Sequence, residues 1–90
     1  MTRYHIIVIG YVQGVGFRYF VYHVAKSLNL SGWVRNLYDG SVEIEVQGNE
    51  DYISSFIEDL WHGNRYAAVD DIKTKKVDIL KNEIDFRITY

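Results

Sequence analysis

The sequence contains no cysteine, no proline and no long apolar run. A chain without cysteine cannot form a disulfide, bind a metal through thiolates or use a cysteine nucleophile. The apolar run near the N-terminus is too short for a signal peptide, and no segment reaches the roughly 20 apolar residues of a membrane-spanning helix. We therefore expect a cytoplasmic protein with no membrane partner.

An excess of positive charge is also absent. The formal net charge is −2 at pH 7, and the isoelectric point is about 5.8. Modules that bind nucleic acid usually carry a basic face, so we expect no nucleic-acid partner. Any anion that this chain binds should be small and held by a few local groups.

The apolar content suits one small core. Hydrophobic residues make up 48% and charged residues 24% of the 90 residues, which is typical of a globular domain. A chain of this length has no room for a second core, so we expect a single domain over residues 1–90. We also expect a monomer.

Hydrophobic periodicity predicts that strands and helices alternate along the chain. β-Branched or alternating runs predict strands, and apolar residues three and four positions apart predict amphipathic helices. The predicted strands cover residues 3–11, 33–37, 41–47, part of 69–79 and 84–90, and the predicted helices cover residues 19–28 and 49–61. This order is that of a ferredoxin-like βαββαβ fold, an α+β two-layer sandwich with two helices on one face of an antiparallel sheet. The final strand is an addition to that plan.

The same periodicity predicts which faces are buried. In the first helix, Phe20, Val24 and Leu28 form a stripe that should face the core. In the third strand, Glu43 and Glu45 alternate with apolar residues and should face water.

A glycine-rich string, residues 12–18, follows the first strand and leads into the first helix. We call it the glycine loop. Gly14 and Gly16 let the backbone bend so that its N–H groups can face a ligand. Arg18 stands where the helix begins, a position that disfavours a cation unless an anion accompanies it. Backbone donors, a positive helix end and a guanidinium together form a site for a doubly charged anion such as phosphate.

The predicted topology brings Asn36 towards the glycine loop, because the first and second strands run the same way and end at one edge of the sheet. The register of the next hairpin decides where Asn36 points. A two-residue turn at Asp39 and Gly40 would put Asn36 on the open face and bury Arg35. If Gly40 is instead a left-handed bulge residue, Asn36 opposes Val42 on the helix side, close to the loop. We favour the bulged register because it leaves Arg35 exposed.

Two common phosphate-binding motifs do not fit this chain. A dinucleotide fingerprint requires a third glycine where Tyr19 stands, and a Walker loop requires a Lys-Ser or Lys-Thr ending that is absent. The longer string is more specific. Val-Gln-Gly-Val-Gly-Phe-Arg at 12–18, Gly-Trp-Val-Arg-Asn at 32–36 and Asp-Gly-Ser-Val at 39–42 together resemble the acylphosphatase family. The resemblance extends from the first strand to the end of the chain.

The resemblance implies the ferredoxin-like fold and the hydrolysis of small acyl phosphates to a carboxylate and inorganic phosphate, without metal or cofactor. It implies that Arg18 binds the phosphoryl group and that Asn36 orients the attacking water. It also implies that backbone amides of the loop help to bind the phosphate, namely those of Gln13, Gly14, Val15, Gly16, Phe17 and Arg18. Asn36 cannot act as a base at neutral pH, so the proton of the water passes to the phosphate of the substrate or to bulk solvent.

The chain departs from the family pattern at positions other than Arg18 and Asn36. Tyr11 stands where many members carry arginine, and the loop after the second helix lacks the proline that is common there. Some members place the terminal carboxylate near the catalytic arginine, which makes Tyr90 a further candidate.

Two other functions share this topology. An RNA-recognition module would need aromatic and basic residues on the open face of the sheet, where Glu43 and Glu45 would repel phosphates. A carbamoyl-phosphate-binding unit, related to the N-terminal domain of hydrogenase-maturation carbamoyltransferases, normally belongs to a much longer chain. The three histidines have no metal-ligand spacing, and we expect them to be structural or on the surface: His5, His23 and His62.

Overall fold

Five strands form one sheet, and two helices pack against it around one hydrophobic core. A computed structural model describes residues 1–90. The elements in chain order are β1 (Thr2–Tyr11), α1 (Phe17–Ser27), β2 (Ser31–Asn36), β3 (Val42–Gly48), α2 (Glu50–His62), β4 (Ala68–Val77) and β5 (Phe86–Ile88). The strand order is β4-β1-β3-β2-β5, and every neighbouring pair is antiparallel except β2 and β5. The predicted ferredoxin-like α+β fold is confirmed, and the additional C-terminal strand extends the sheet beside β2.

β1 lies inside the sheet, between β4 and β3. Ile6 and Val8 are completely buried in the core, while Ile7 and Ile9 on the other face are half-buried. Coverage on both faces explains why the strand is an almost continuous apolar run instead of a strict alternation.

α1 begins at Phe17, two residues before the predicted start. Gly16 precedes it with a φ of 75°, and the Gly16 carbonyl accepts the first helical hydrogen bond. Because Phe17 belongs to the helix and not to the loop, the buried centre shifts to Phe17, Val21 and Ala25. The predicted stripe is half-buried beside this centre and still packs against the core: Phe20, Val24 and Leu28.

The hairpin between β2 and β3 has the bulged register. Gly40 has a φ of 94°, in the left-handed region, and Asn36 pairs with Val42. Directly opposed residues of two strands share a face of the sheet, and Val42 is completely buried in the core. The prediction that Asn36 lies on the helix side is therefore confirmed, and Arg35 is exposed on the other side.

The open face of the sheet is covered by ion pairs. Glu43 lies between two basic side chains. Arg35 Nε donates to its Oε1 at 2.6 Å, and His5 Nε2 lies 2.8 Å from its Oε2. Arg3, which is only 1% exposed, donates to Glu45 at 2.7 Å. Glu43 and Glu45 lie on the face away from the core, as the alternation predicts, but they are less exposed to water than expected. Both side chains are partly buried, because basic residues of the neighbouring strands lie against them.

Acid should destabilise the protein through Glu43. Burial disfavours the Glu43 carboxylate, but hydrogen bonds from His5 and Arg35 outweigh burial and hold the pKa of Glu43 below its ordinary value of 4.5. A carboxylate with a lowered pKa stabilises the fold fully above the ordinary pKa, and this stabilisation is lost as the pH falls through the lowered pKa. Below about pH 4.5, we expect the unfolding free energy of Glu43→Gln to fall less than that of the wild type. Urea denaturation at a series of pH values measures this difference.

The matched control is Glu58→Gln, which removes the same charge from an exposed position of α2 that forms no ion pair. This control should keep the acid dependence of the wild type. An identical acid dependence in the Glu43 variant and the wild type would show that the ion pairs of Glu43 add nothing to stability.

Candidate active site

The glycine loop joins the end of β1 to the start of α1. φ is positive at Gly14 (74°) and Gly16 (75°) but not at Val15 between them. A backbone that alternates in this way turns successive N–H groups towards one concave side, which favours an anion. Phe17 is 1% exposed and fixes the end of the loop in the core. The loop therefore has the geometry of an anion cradle.

Arg18 is the second residue of α1 and carries an uncompensated charge. Its guanidinium carbon lies 4.7 Å from the centre of the Tyr90 ring, and its Nη1 donates to the Thr89 carbonyl at 3.4 Å. No carboxylate forms an ion pair with it, and the first turn of α1 contains no acidic residue. Tyr90 thus contacts Arg18 with its ring and not with its terminal carboxylate. The guanidinium is positioned by the two residues that follow β5 and keeps donors for an anion.

Asn36 is the last residue of β2. Its Oδ1 is buried and has no hydrogen-bond partner in the protein. An unpaired buried acceptor costs about 1–3 kcal/mol, so such an atom in a folded protein calls for an explanation. At a candidate active site, a hydrogen-bond donor from the substrate or from a water molecule explains the unpaired Oδ1.

One cavity of about 230 Å³ contains both predicted catalytic side chains. Its wall is formed by residues of the glycine loop and its flanks together with the end of β2: Val12, Gly14, Gly16, Phe17, Arg18, Tyr19 and Asn36. A phosphoryl group fits this volume, and the residues around it carry a guanidinium, the backbone of the glycine loop and the side-chain amide of Asn36. The sequence predicted this grouping from strand order, and the structure brings the residues together.

A larger cavity of about 610 Å³ adjoins the first, and Asn36 borders both. Its wall combines aromatic rings with polar groups: Gln13, Arg35, Asn36, Leu37, Tyr38 and Tyr90. Tyr38 and Tyr90 are almost fully exposed. The site is therefore open and gives room beyond the phosphate cradle.

Two side-chain amides connect the glycine loop to other parts of the fold, and neither contact is predictable from the sequence. Gln13 Nε2 donates to the carbonyls of Leu37 (2.7 Å) and Ser41 (2.8 Å), at the two ends of the hairpin turn. Asn64, between α2 and β4, donates from Nδ2 to the Val15 carbonyl at 2.7 Å. Gln13 was singled out for its backbone alone, and nothing around Asn64 in the sequence indicates a partner in the loop.

The histidines form no second site. His5 contacts Glu43, and His62 Nδ1 lies 3.0 Å from the Glu58 carbonyl of its own helix. His23 is exposed on α1 and contacts the ring of Tyr22. No three acidic or histidine side chains lie close enough together to hold a metal ion. Neither helix is long and apolar enough to cross a membrane.

Comparisons with known proteins point to one family. The acylphosphatase family model matches residues 4–88. The acylphosphatase of Clostridium beijerinckii is 49% identical to this chain over 90 residues, which cover 100% of both chains. The crystal structure of acylphosphatase from Bacillus subtilis is similar with a TM-score of 0.96 and 44% identity, also over 100% of both chains.

The same fold also occurs within a longer protein. The crystal structure of full-length HypF in its phosphate- and nucleotide-bound form matches 99% of this chain with a TM-score of 0.86 and 34% identity. The match covers only 12% of the HypF chain. This TM-score is lower than those with the solved acylphosphatases from Bacillus subtilis and Coxiella burnetii, which are 0.96 and 0.91.

Proposed function

This chain belongs to the acylphosphatase family and hydrolyses acyl phosphates to a carboxylate and inorganic phosphate, and we propose that Arg18 and Asn36 are its catalytic residues. The observation that carries the proposal is that Asn36, whose Oδ1 is buried without a hydrogen-bond partner, lines the same cavity as Arg18. A cation for the phosphoryl group and a free acceptor for water are the two groups that the reaction needs at this place.

Arg18 and the glycine loop hold the phosphoryl group. A guanidinium donates to two phosphate oxygens at once in a forked geometry that an ammonium cannot reproduce. The N–H groups of residues 13–18 add donors on the concave side of the loop, next to the positive end of α1. Phosphoryl transfer depends mainly on positioning and on stabilisation of negative charge, and these groups supply both.

Asn36 orients the attacking water. Its Oδ1 accepts a hydrogen bond from the water and thereby turns an oxygen lone pair towards phosphorus. The amide does not take the proton, which passes to the phosphate of the substrate or to bulk solvent. The leaving group is a carboxylate, a weak base, so no strong general acid is required.

We further propose a single acylphosphatase-like domain over residues 1–90, a monomeric state, a cytoplasmic location and no nucleic-acid or membrane partner. The open face of the sheet supports the expectation about nucleic acid, because its basic residues Arg3, His5 and Arg35 already contact carboxylates.

Removal of metal tests the proposed chemistry. We expect the purified protein to hydrolyse benzoyl phosphate at the same rate with and without a chelator, because Arg18 and the loop amides supply the positive charge. Inorganic phosphate should inhibit competitively, because it occupies the same cradle. Activity that disappears with chelator and returns with a divalent cation would contradict the proposal. Inhibition that is not competitive would move the phosphate site away from the glycine loop.

A further inference from the structure

Gln13 and Asn64 hold the glycine loop from two different parts of the fold. Gln13 connects it to the β2–β3 hairpin, and Asn64 connects it to the segment between α2 and β4. We propose that both are positioning residues with separate tasks: Asn64 sets the affinity for phosphate, and Gln13 sets the rate of turnover. The proposal rests on the roles of Arg18 and Asn36 given above.

Asn64 fixes the orientation of the peptide between Val15 and Gly16. All peptide bonds are trans, so the Val15 carbonyl and the Gly16 N–H point in opposite directions. Because the carbonyl is held by Asn64 Nδ2 at 2.7 Å, the Gly16 N–H is directed away from Asn64. The Asn64 side chain is itself held, since its Oδ1 accepts the Ala67 N–H at 3.0 Å.

This peptide needs such support because one of its two flanking residues is a glycine. Rotation of the peptide between Val15 and Gly16 changes ψ of Val15 and φ of Gly16, and Gly16 has no side chain to restrict its φ. A rotated peptide would place a carbonyl oxygen in the cradle, where it would repel phosphate. Loss of the Asn64 side chain should therefore weaken phosphate binding.

Gln13 fixes the distance between the glycine loop and Asn36. Its amide donates to the carbonyl of Leu37, which follows Asn36 directly, and to that of Ser41, which precedes the Asn36 partner Val42. Both bonds cross the base of the hairpin beside Asn36, while Gln13 itself precedes Gly14 in the loop. The side chain thus links the residues that hold the phosphate to the residue that holds the water.

The two tasks are separable because the phosphate does not depend on the hairpin. Arg18 and the loop amides bind the phosphate, and they lie outside β2 and β3. In-line attack requires the reacting atoms to lie about 3–3.5 Å apart, and a misplacement of about 1 Å can cost 10²-fold in rate. A hairpin that shifts after loss of Gln13 should therefore lower turnover and leave phosphate affinity unchanged.

The test compares Asn64→Ala and Gln13→Ala for kcat and KM on benzoyl phosphate and for the inhibition constant of inorganic phosphate. We expect Asn64→Ala to raise that constant and KM about tenfold, the effect of one lost hydrogen bond of about 1.4 kcal/mol, with little change in kcat. We expect Gln13→Ala to lower kcat by about 10- to 100-fold with little change in the inhibition constant.

A double variant separates positioning from general damage. If Gln13 acts through Asn36, adding Gln13→Ala to Asn36→Ala should lower kcat by less than about twofold, because coupled residues are not additive. Asn49→Ala serves as the control for stability, since it removes an asparagine that caps α2. This control should lower the denaturation midpoint and leave kcat and the inhibition constant as in the wild type.

The outcomes are distinct. Equal effects of both variants on kcat and on the inhibition constant, or the full Gln13→Ala effect in the Asn36→Ala background, would overturn the proposal. Wild-type turnover in Asn36→Ala alone would instead remove the catalytic role of Asn36, whatever Gln13 does. If Gln13→Ala does not fold, Gln13→Met keeps the bulk of the side chain, removes its donors and must show the same loss of kcat.

Discussion

The variant Asn36→Ala is expected to hydrolyse benzoyl phosphate about 10²- to 10³-fold more slowly than the wild type, with little change in KM. The reason is that Asn36 contacts the water and not the substrate, so its loss affects the transition state more than the bound ground state. Steady-state kinetics measure both constants. An unchanged kcat would remove Asn36 from the mechanism.

The same variant should be at least as stable as the wild type. Asn36 Oδ1 is buried without a partner, and removing an unpaired buried acceptor relieves a penalty of about 1–3 kcal/mol. The cavity that the shorter side chain leaves offsets part of this gain. A midpoint of thermal unfolding equal to or above that of the wild type, together with the loss of turnover, would indicate an acceptor kept for function. A clear fall in the midpoint would indicate a structural role instead.

Asn36→Asp tests whether the side chain at this position must be uncharged. The aspartate keeps an acceptor oxygen at the same distance from the backbone but adds a negative charge next to the phosphoryl group. We expect this variant to raise KM and the inhibition constant of phosphate, whereas Asn36→Ala should change neither. Identical kinetics of the two variants would contradict the placement of Asn36 beside the phosphate.

Replacing Arg18 should have the largest effect on kcat/KM. We expect Arg18→Ala to lower it by about 10³- to 10⁵-fold, the range found when an arginine that stabilises a phosphoryl transition state is removed. Competitive inhibition by inorganic phosphate should be lost as well, because Arg18 is the one side-chain cation that lines the smaller cavity. Phosphate titration by calorimetry measures binding independently of turnover.

Arg18→Lys shows whether charge alone is enough. Lysine keeps the positive charge but cannot donate two parallel hydrogen bonds to phosphate or place a planar guanidinium against the Tyr90 ring. We expect it to restore only a small part of the lost kcat/KM. Arg87→Ala, which removes an exposed arginine of β5 that forms no ion pair, should behave as the wild type. A fully active Arg18→Lys would reduce the role of Arg18 to long-range electrostatics.

The anion cradle was predictable because its causes are local. Gly14 and Gly16 permit the positive φ values that turn the backbone, and the helix that follows supplies its own positive end. The hairpin register was predictable for the same kind of reason, since Gly40 alone can take the bulge position at low cost. Asn36 then reached the glycine loop through strand order, which follows from the sequence of elements.

The start of α1 and the covering of the open face were harder to predict. Phe17 continues the glycine string and so reads as part of the loop, and only the hydrogen bond from the Phe20 N–H to the Gly16 carbonyl shows that the helix already includes it. Glu43 and Glu45 alternate with core residues as a water-exposed face does. Their burial comes from Arg3, His5 and Arg35 on other strands, and alternation within one strand carries no information about such neighbours.

The sequence by itself determined the family, the order of the elements, the bend of the glycine loop and the approach of Asn36 to that loop. Each depends on local backbone chemistry or on strand order. Only the tertiary structure decided what holds these groups in place: the ring of Tyr90 on Arg18, the amide of Gln13 on the hairpin, and Asn64 on the Val15 carbonyl. The physical reason is that each of these contacts joins residues far apart in the chain, and a pairing of that kind exists only once the layers have packed.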